Sequence, residues 1–214
     1  MTRTSNARLA GFAFLSYIAV GVPAMVLMSR ATSGEGVTAK LASVAQHTGD
    51  VRLAMVLSLL GSCCALVIAV TLYAVTRDQD ADVAMLGMAC RLTEGVTGAV
   101  SLTSTLGLLG LAANAGAGDP ATLALGTFLL DDSPMVAATF FAFGSTCFTY
   151  LLLRGRLIPI GLAWLGLAAS VLLAVGLPLQ LGGLLSGPVT RLIWFPMLAF
   201  EVPLGLWLII KGVK

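Results

Sequence analysis

The sequence predicts an all-α fold, a polytopic membrane bundle of six transmembrane helices with both termini cytoplasmic. Three observations carry that prediction: apolar runs long enough to span a bilayer, too little charge for a solvated surface, and basic residues gathered on one side of the runs. Of 214 residues, 58% are hydrophobic and only 10% are charged, whereas a soluble domain carries about 25% charged residues. The mean hydropathy of +0.98 arises because the apolar residues fall into runs of roughly 20, the length a helix needs to cross about 30 Å of hydrocarbon. A single six-helix domain over residues 1–214 is expected.

The first span, about 9–28, follows Arg3 and Arg8 and so starts like a secretory signal. It is longer than a typical signal core and has no convincing small-residue cleavage site, so it is expected to be retained as a helix. Ser29 to Asp50 is a polar connection in which Val37, Leu41, Val44 and Ala45 recur at helical spacing, predicting a short helix at the membrane interface. The second span covers about 51–75, and the polar turn Thr76 to Asp82 separates it from the third, about 83–113. The third ends in AANAGAGDP, where Gly and Pro stop it. The fourth span is 135–153, with Asp131 and Asp132 before Pro134 expected to cap it. Arg154, Arg156 and Pro159 mark a tight turn into the fifth, 160–181, where Pro178 is a candidate kink. LGGLLSGP then leads to the sixth, 192–210.

Basic residues near span ends set orientation. Arg3, Arg8, Arg77, Arg154, Arg156, Lys211 and Lys214 fall on the side of the termini, against Arg30, Lys40, Arg52 and Arg191 on the other. The excess predicts cytoplasmic termini and a multi-pass protein of the cell membrane.

The formal net charge of +2 gives no reason to expect nucleic acid as a partner. Membrane lipid is the expected partner, together with a hydrophobic small-molecule ligand. Cys63, Cys64, Cys90 and Cys147 all lie in apolar runs and read as small hydrophobes, neither a disulfide framework nor a zinc site. With His47 the one histidine, histidine-rich metal ligation is excluded. His47 with Asp50 could form a pH-sensitive pair, but a solvated loop histidine is the simpler expectation. Asp78, Asp80 and Asp82 lack the spacing of a calcium loop and are expected to complement a helix N-terminus. LGGLLSGP has no lysine and no preceding strand, so it is not a phosphate loop. No cofactor is expected.

Three charges sit inside apolar spans: Arg91 and Glu94 in the third, Glu201 in the sixth. Each costs on the order of 2.5–3.5 kcal/mol at mid-membrane, so each needs a partner or a wet cavity. Arg91 lies nine residues from Asp82 and Glu201 ten from Lys211, which puts both roughly 14 Å from the cytoplasmic edge. Arg91 and Glu94 share a helix face, and Gly98, Ser101 and Thr105 continue it; Leu92, Val96, Val100 and Leu106 lie off it. The stripe is expected to face the bundle interior, Gly98 letting a neighbouring backbone approach.

Pro196 and Pro203 bracket Glu201. Each leaves a carbonyl without its helical donor, so a kinked polar pocket is expected at Glu201. Two carboxylates and one guanidinium leave an excess negative charge that low dielectric penalises. Either one carboxyl keeps its proton or a cation completes the site. Thr139, Thr146 and Tyr150 in the fourth span, Ser58 and Ser62 in the second, and Trp194 are candidates for the pocket lining.

The opening RLAGFAFLSYI, the third-span ACRLTEG, the turn RGRLIP with LAWLGL, and the ending FEVPLGLWLIIKGVK together resemble the bacterial membrane proteins grouped as domain-of-unknown-function family 4386. The similarity covers nearly the whole chain in order. It implies a compact helical protein of the inner membrane in which Arg91, Glu94 and Glu201 correspond to the family's polar positions. It implies no reaction.

Two uses of the trio follow. In one, the chain binds or transforms a hydrophobic small molecule: a protonated Glu201 or Glu94 acts as general acid, Arg91 keeps the other carboxylate ionised, and the reaction is an isomerisation or cyclisation. In the other, the trio binds and releases a proton in a small transporter or permease; no convincing match between the first and last three spans supports inverted repeats. A non-catalytic membrane partner or assembly factor is the third possibility, and the plain structural reading of the trio is that Arg91 pairs with Glu94 or Glu201 merely to lock the third helix to the sixth.

Overall fold

Lipid cannot hydrogen-bond a backbone, so a chain this apolar satisfies its amides within helices. The computed structural model describes residues 2–114, 120–130, 135–187 and 189–213. These form α1 (Arg3–Ala31), α2 (Gly36–Gln46), α3 (Thr48–Thr76), α4 (Ala81–Asn114), α5 (Pro120–Leu130), α6 (Met135–Arg154), α7 (Ile160–Leu181), α8 (Val189–Leu192) and α9 (Phe195–Ile210). No strand occurs among the described residues. Five stretches are long and apolar enough to cross a membrane: Arg3–Ala31, Thr48–Thr76, Ala81–Ala113, Pro120–Arg154 and Ile160–Leu181.

The six longest helices close a ring in chain order, α1 beside α3, then α4, α6, α7 and α9, with α9 returning to α1. Small residues permit the closest crossings. A Cβ at Gly11 of α1 would lie 2.6 Å from the Gly205 carbonyl of α9, so only glycine allows the ring to close at that height. Phe12, Met25, Val56, Val70, Leu86, Val100, Trp164 and Val175 face outward, whereas Arg91 is among the largest fully buried side chains. That inversion of the soluble pattern is what a lipid solvent selects.

One core runs along the α1–α3–α6–α7–α9 interior from Ala7 through Phe14, Leu72, Phe148 and Leu173 to Leu208. A second, at the opposite end, joins Ala31, Leu41, Val44, Val51, Leu108 and Ala112. The polar connection after the first span does form a helix, α2, whose Leu41 and Val44 are buried. It covers the end of α4, which at 34 residues is about 51 Å long, well beyond the hydrocarbon thickness of about 30 Å. His47 Nδ1 sits 2.9 Å from the Ser43 carbonyl, donating back into α2.

Two boundaries differ from expectation. Residues 121–130 were without an assigned element; they form α5, apolar on all sides, so periodicity carries no signal there. The last span starts later than Leu192: α8 stops there and α9 begins at Phe195, with Pro196 in its first turn. Proline lacks only an amide hydrogen that a first turn leaves unused, so Pro196 starts the helix rather than kinking it. At 16 residues, α9 is about 24 Å long, shorter than the five spanning stretches.

The turns at the end bearing α1's start and α9's finish are fixed by charge. The Val83 amide donates to Asp80 Oδ1 at 3.2 Å, so Asp80 caps α4. Its Oδ2 accepts from Arg154 Nη1 at 2.9 Å, tying the α3–α4 turn to the end of α6. Arg3 Nε donates to the Val75 carbonyl at 3.1 Å, satisfying one of the carbonyls that α3 leaves open at its end. The proposed caps Asp131 and Asp132, with Pro134, lie outside the described residues.

Candidate functional site

Ala84, Gly87, Arg91 and Glu94 repeat at steps of three and four along α4 and are all buried. The stripe therefore meets α6 and α1 rather than lipid. Arg91 is 1% exposed and its Nη1 stands 3.0 Å from Glu94 Oε2. Tyr17 of α1 donates its hydroxyl to Glu94 Oε1 at 3.1 Å. The guanidinium carbon lies 4.7 Å from the centre of the Phe141 ring and 5.9 Å from that of Tyr17, distances at which ring quadrupoles attract a cation. Gly144 of α6 makes room for the arginine stem: a Cβ there would stand 2.8 Å from Arg91 Cγ.

Charge rather than hydrogen-bond alignment holds this pair. Nε, Nη1 and Nη2 of Arg91 and Oε2 of Glu94 are buried without a hydrogen-bond partner among the described residues, so the contact is not the bidentate fork of a strong arginine–carboxylate pair. Glu201 of α9 is buried, 6% exposed, and makes neither an ion pair nor a hydrogen bond among the described residues. Arg91 and Glu201 lie at the similar depths that the sequence predicts. They line one cavity of about 10 Å³, together with Phe14, Leu72, Ser145, Phe148, Thr149, Leu152, Phe200 and Leu204. That is the room a single water needs.

The remaining candidates fall elsewhere. Gly98, Ser101 and Thr105 are half-buried, continuing the interior face of α4 less deeply than Arg91 and Glu94. Ser101 donates to the Gly98 carbonyl, and Gly98 faces the Ser62 hydroxyl of α3. Thr146 donates to the Ala142 carbonyl and Thr139 to that of Met135. Tyr150 is 42% exposed. The α6 residues on the cavity are instead Ser145 and Thr149, one position earlier in each case, a rotation of about 100°. Trp194 is partly exposed and touches the site indirectly, its ring centre 6.0 Å from that of Phe141. Pro203 lies on the outer face of α9 while Glu201 faces inward, so proline-freed backbone does not build the pocket at Glu201.

Residues 9–212 match a single family over nearly the whole chain. The chain belongs to the family described as Domain of unknown function (DUF4386). Comparison with curated proteins yields no match, and comparison with solved structures yields none either. In this DUF4386 chain, sequence alone pointed to the three buried charges but missed Tyr17, Phe141 and Gly144 around them. Tyr17 had a signal, a hydroxyl in mid-span. Phe141 and Gly144 had none, since neither residue type stands out in an apolar run.

A second concavity lies on the outside, between α3 and α4. It is a groove of about 450 Å³ lined by Leu59, Ser62, Cys63, Leu66, Gly95, Val96, Ala99, Val100 and Thr103. None of the three buried charges reaches it.

Proposed function

We propose that this chain is a small proton-coupled membrane protein of the transporter or permease class, with Glu201 carrying the exchangeable proton. The supporting observation is the unequal position of the two carboxyls. Glu94 holds the Arg91 charge and the Tyr17 hydroxyl, while Glu201 shares only a water-sized cavity with that guanidinium. One cation cannot neutralise two carboxylates in low dielectric, so the carboxyl without a partner keeps its proton. Among the described residues Arg91 shares its cavity, and Glu94 and Tyr17 stand behind that guanidinium.

Acid-catalysed isomerisation or cyclisation of a lipid-like molecule is less well supported, because the acid and the space are in different places. The cavity at Glu201 has room for one water, and the groove large enough for an acyl chain carries no carboxyl. In the proposed arrangement the chain crosses a bacterial inner membrane six times, α9 included, with the arginine-rich turns and both termini in the cytoplasm.

Proteoliposomes of phosphatidylcholine and phosphatidylglycerol with an entrapped pH dye test the proposal. An imposed pH gradient is expected to collapse faster with the wild-type protein than in protein-free vesicles, and Glu201→Gln is expected to return the rate to the protein-free value. Wild-type vesicles no leakier than empty ones, or a fully active Glu201→Gln protein, would count against proton coupling. Turnover of a lipid extract by the detergent-solubilised protein would favour the enzyme instead.

A further inference from the structure

The cavity beside the trio is not centred on it. Counting residues from the helix ends at the turn-bearing face gives the depth of each lining side chain, at about 1.5 Å per residue. Arg91 is ten residues into α4 and Glu201 nine from the end of α9, so both lie about 14 Å deep. Leu152 is two residues from the end of α6, Leu72 four from the end of α3, Phe148 six from the end of α6, and Leu204 six from the end of α9. Those four lie at about 3, 6, 9 and 9 Å. Phe14 and Phe200 are the deepest lining residues, level with Arg91 and Glu201 or just beyond them. No lining residue belongs to the half of the ring that carries α2 and α5.

We infer that water reaches Glu201 from the face carrying the Arg77 and Arg154 turns, through an apolar neck formed by Leu72, Phe148, Leu152 and Leu204. The inference rests on the proton-site assignment and adds its route and direction. In the described state the neck is tightly packed, each of its four side chains being at most 3% exposed. Beneath it, the Arg91 guanidinium, whose buried nitrogens have no hydrogen-bond partner among the described residues, and the Glu201 carboxyl face each other across the space of one water, with Ser145 and Thr149 on the same lining, which supplies the two to four polar partners a buried water requires. The Arg154–Asp80 pair and the Arg3–Val75 hydrogen bond lie at the helix ends on that same face. Opening of the neck admits water in single file, and its closure isolates the carboxyl.

Infrared spectroscopy of the full-length protein in lipid nanodiscs tests this through the rate at which the protonated Glu201 carboxyl exchanges in D₂O. The band is identified by its loss in Glu201→Gln. Leu152→Ala and Leu204→Ala are expected to speed exchange about tenfold or more, Leu72→Phe to slow it, and the lipid-facing control Val96→Ala to leave it unchanged. If the band is present and none of the neck variants moves its exchange rate, the neck is overturned while the proton site stands. A wild-type spectrum with no band removed by Glu201→Gln overturns both.

Discussion

Arg91 is the residue whose surroundings have to balance, since it is almost completely removed from solvent. Its present partner is Glu94, and the cavity leaves Glu201 as an alternative one. A double-mutant cycle exposes this redundancy. In Glu94→Gln, Arg91 can turn to Glu201; in Glu201→Gln, it keeps Glu94. Only the double variant strands the guanidinium, and uncompensated buried charge costs about 3–5 kcal/mol. Thermal unfolding in detergent is therefore expected to show small shifts for each single change and a much larger, non-additive loss for the pair. Additive shifts would mean that Glu201 never serves Arg91. These three residues were legible in the sequence because a charge in an apolar run has no cheap explanation. Their neighbours were not: Ser145 and Thr149 differ from the anticipated Thr146 and Tyr150 only in helix phase. Phase is hard to read where both faces are apolar, one packed on protein and the other on lipid.

At the scale of elements, boundaries set by polar turns and proline were readable and those inside continuous apolar sequence were not. The turn residues Thr76 to Asp82 and Arg154 to Pro159 end and begin helices where expected, because their charges cannot enter hydrocarbon. Arg156 takes φ 49° there, with Leu157 donating to the Leu152 carbonyl and Arg156 to that of Leu153, the paired bonds of a helix-ending motif in which glycine is usual. α5 escaped notice because nothing polar outlines it. The Asp80 cap makes a pH prediction. The Val83 amide, and secondarily Arg154, hold its carboxyl below the usual carboxylate range. A depressed folded value contributes stability that is present above the unfolded value and disappears as pH falls through the folded one. The melting-temperature gap between wild type and Asp80→Ala is expected to be constant near neutrality and to close below about pH 4. A gap that persists in acid would show that charge on Asp80 is not what holds the turns together.

For the whole molecule, the ring of six helices follows from chain order and short turns, both visible in the sequence; its asymmetry does not. At one end α2 and the second core pack against α1, α3, α4 and α5, while the buried charge cluster shares its small cavity with Leu72, Phe148, Leu152 and Leu204. Small residues at Gly11, Gly144 and Gly205 set how tightly the ring closes, and which of the 24 glycines would do so depends on helix rotations that only the folded packing fixes. In the proposed reading the buried charges are the polar focus, and the charge state of the Glu201 carboxyl decides whether it is neutral. The protonation of Glu201 can be observed directly from the carbonyl stretch of its carboxyl at neutral pH, where exposed aspartates and glutamates are ionised. A protonated-carboxyl band in the wild-type protein that vanishes in Glu201→Gln is the predicted result; a wild-type spectrum without such a band, or one that Glu201→Gln leaves intact, would contradict it.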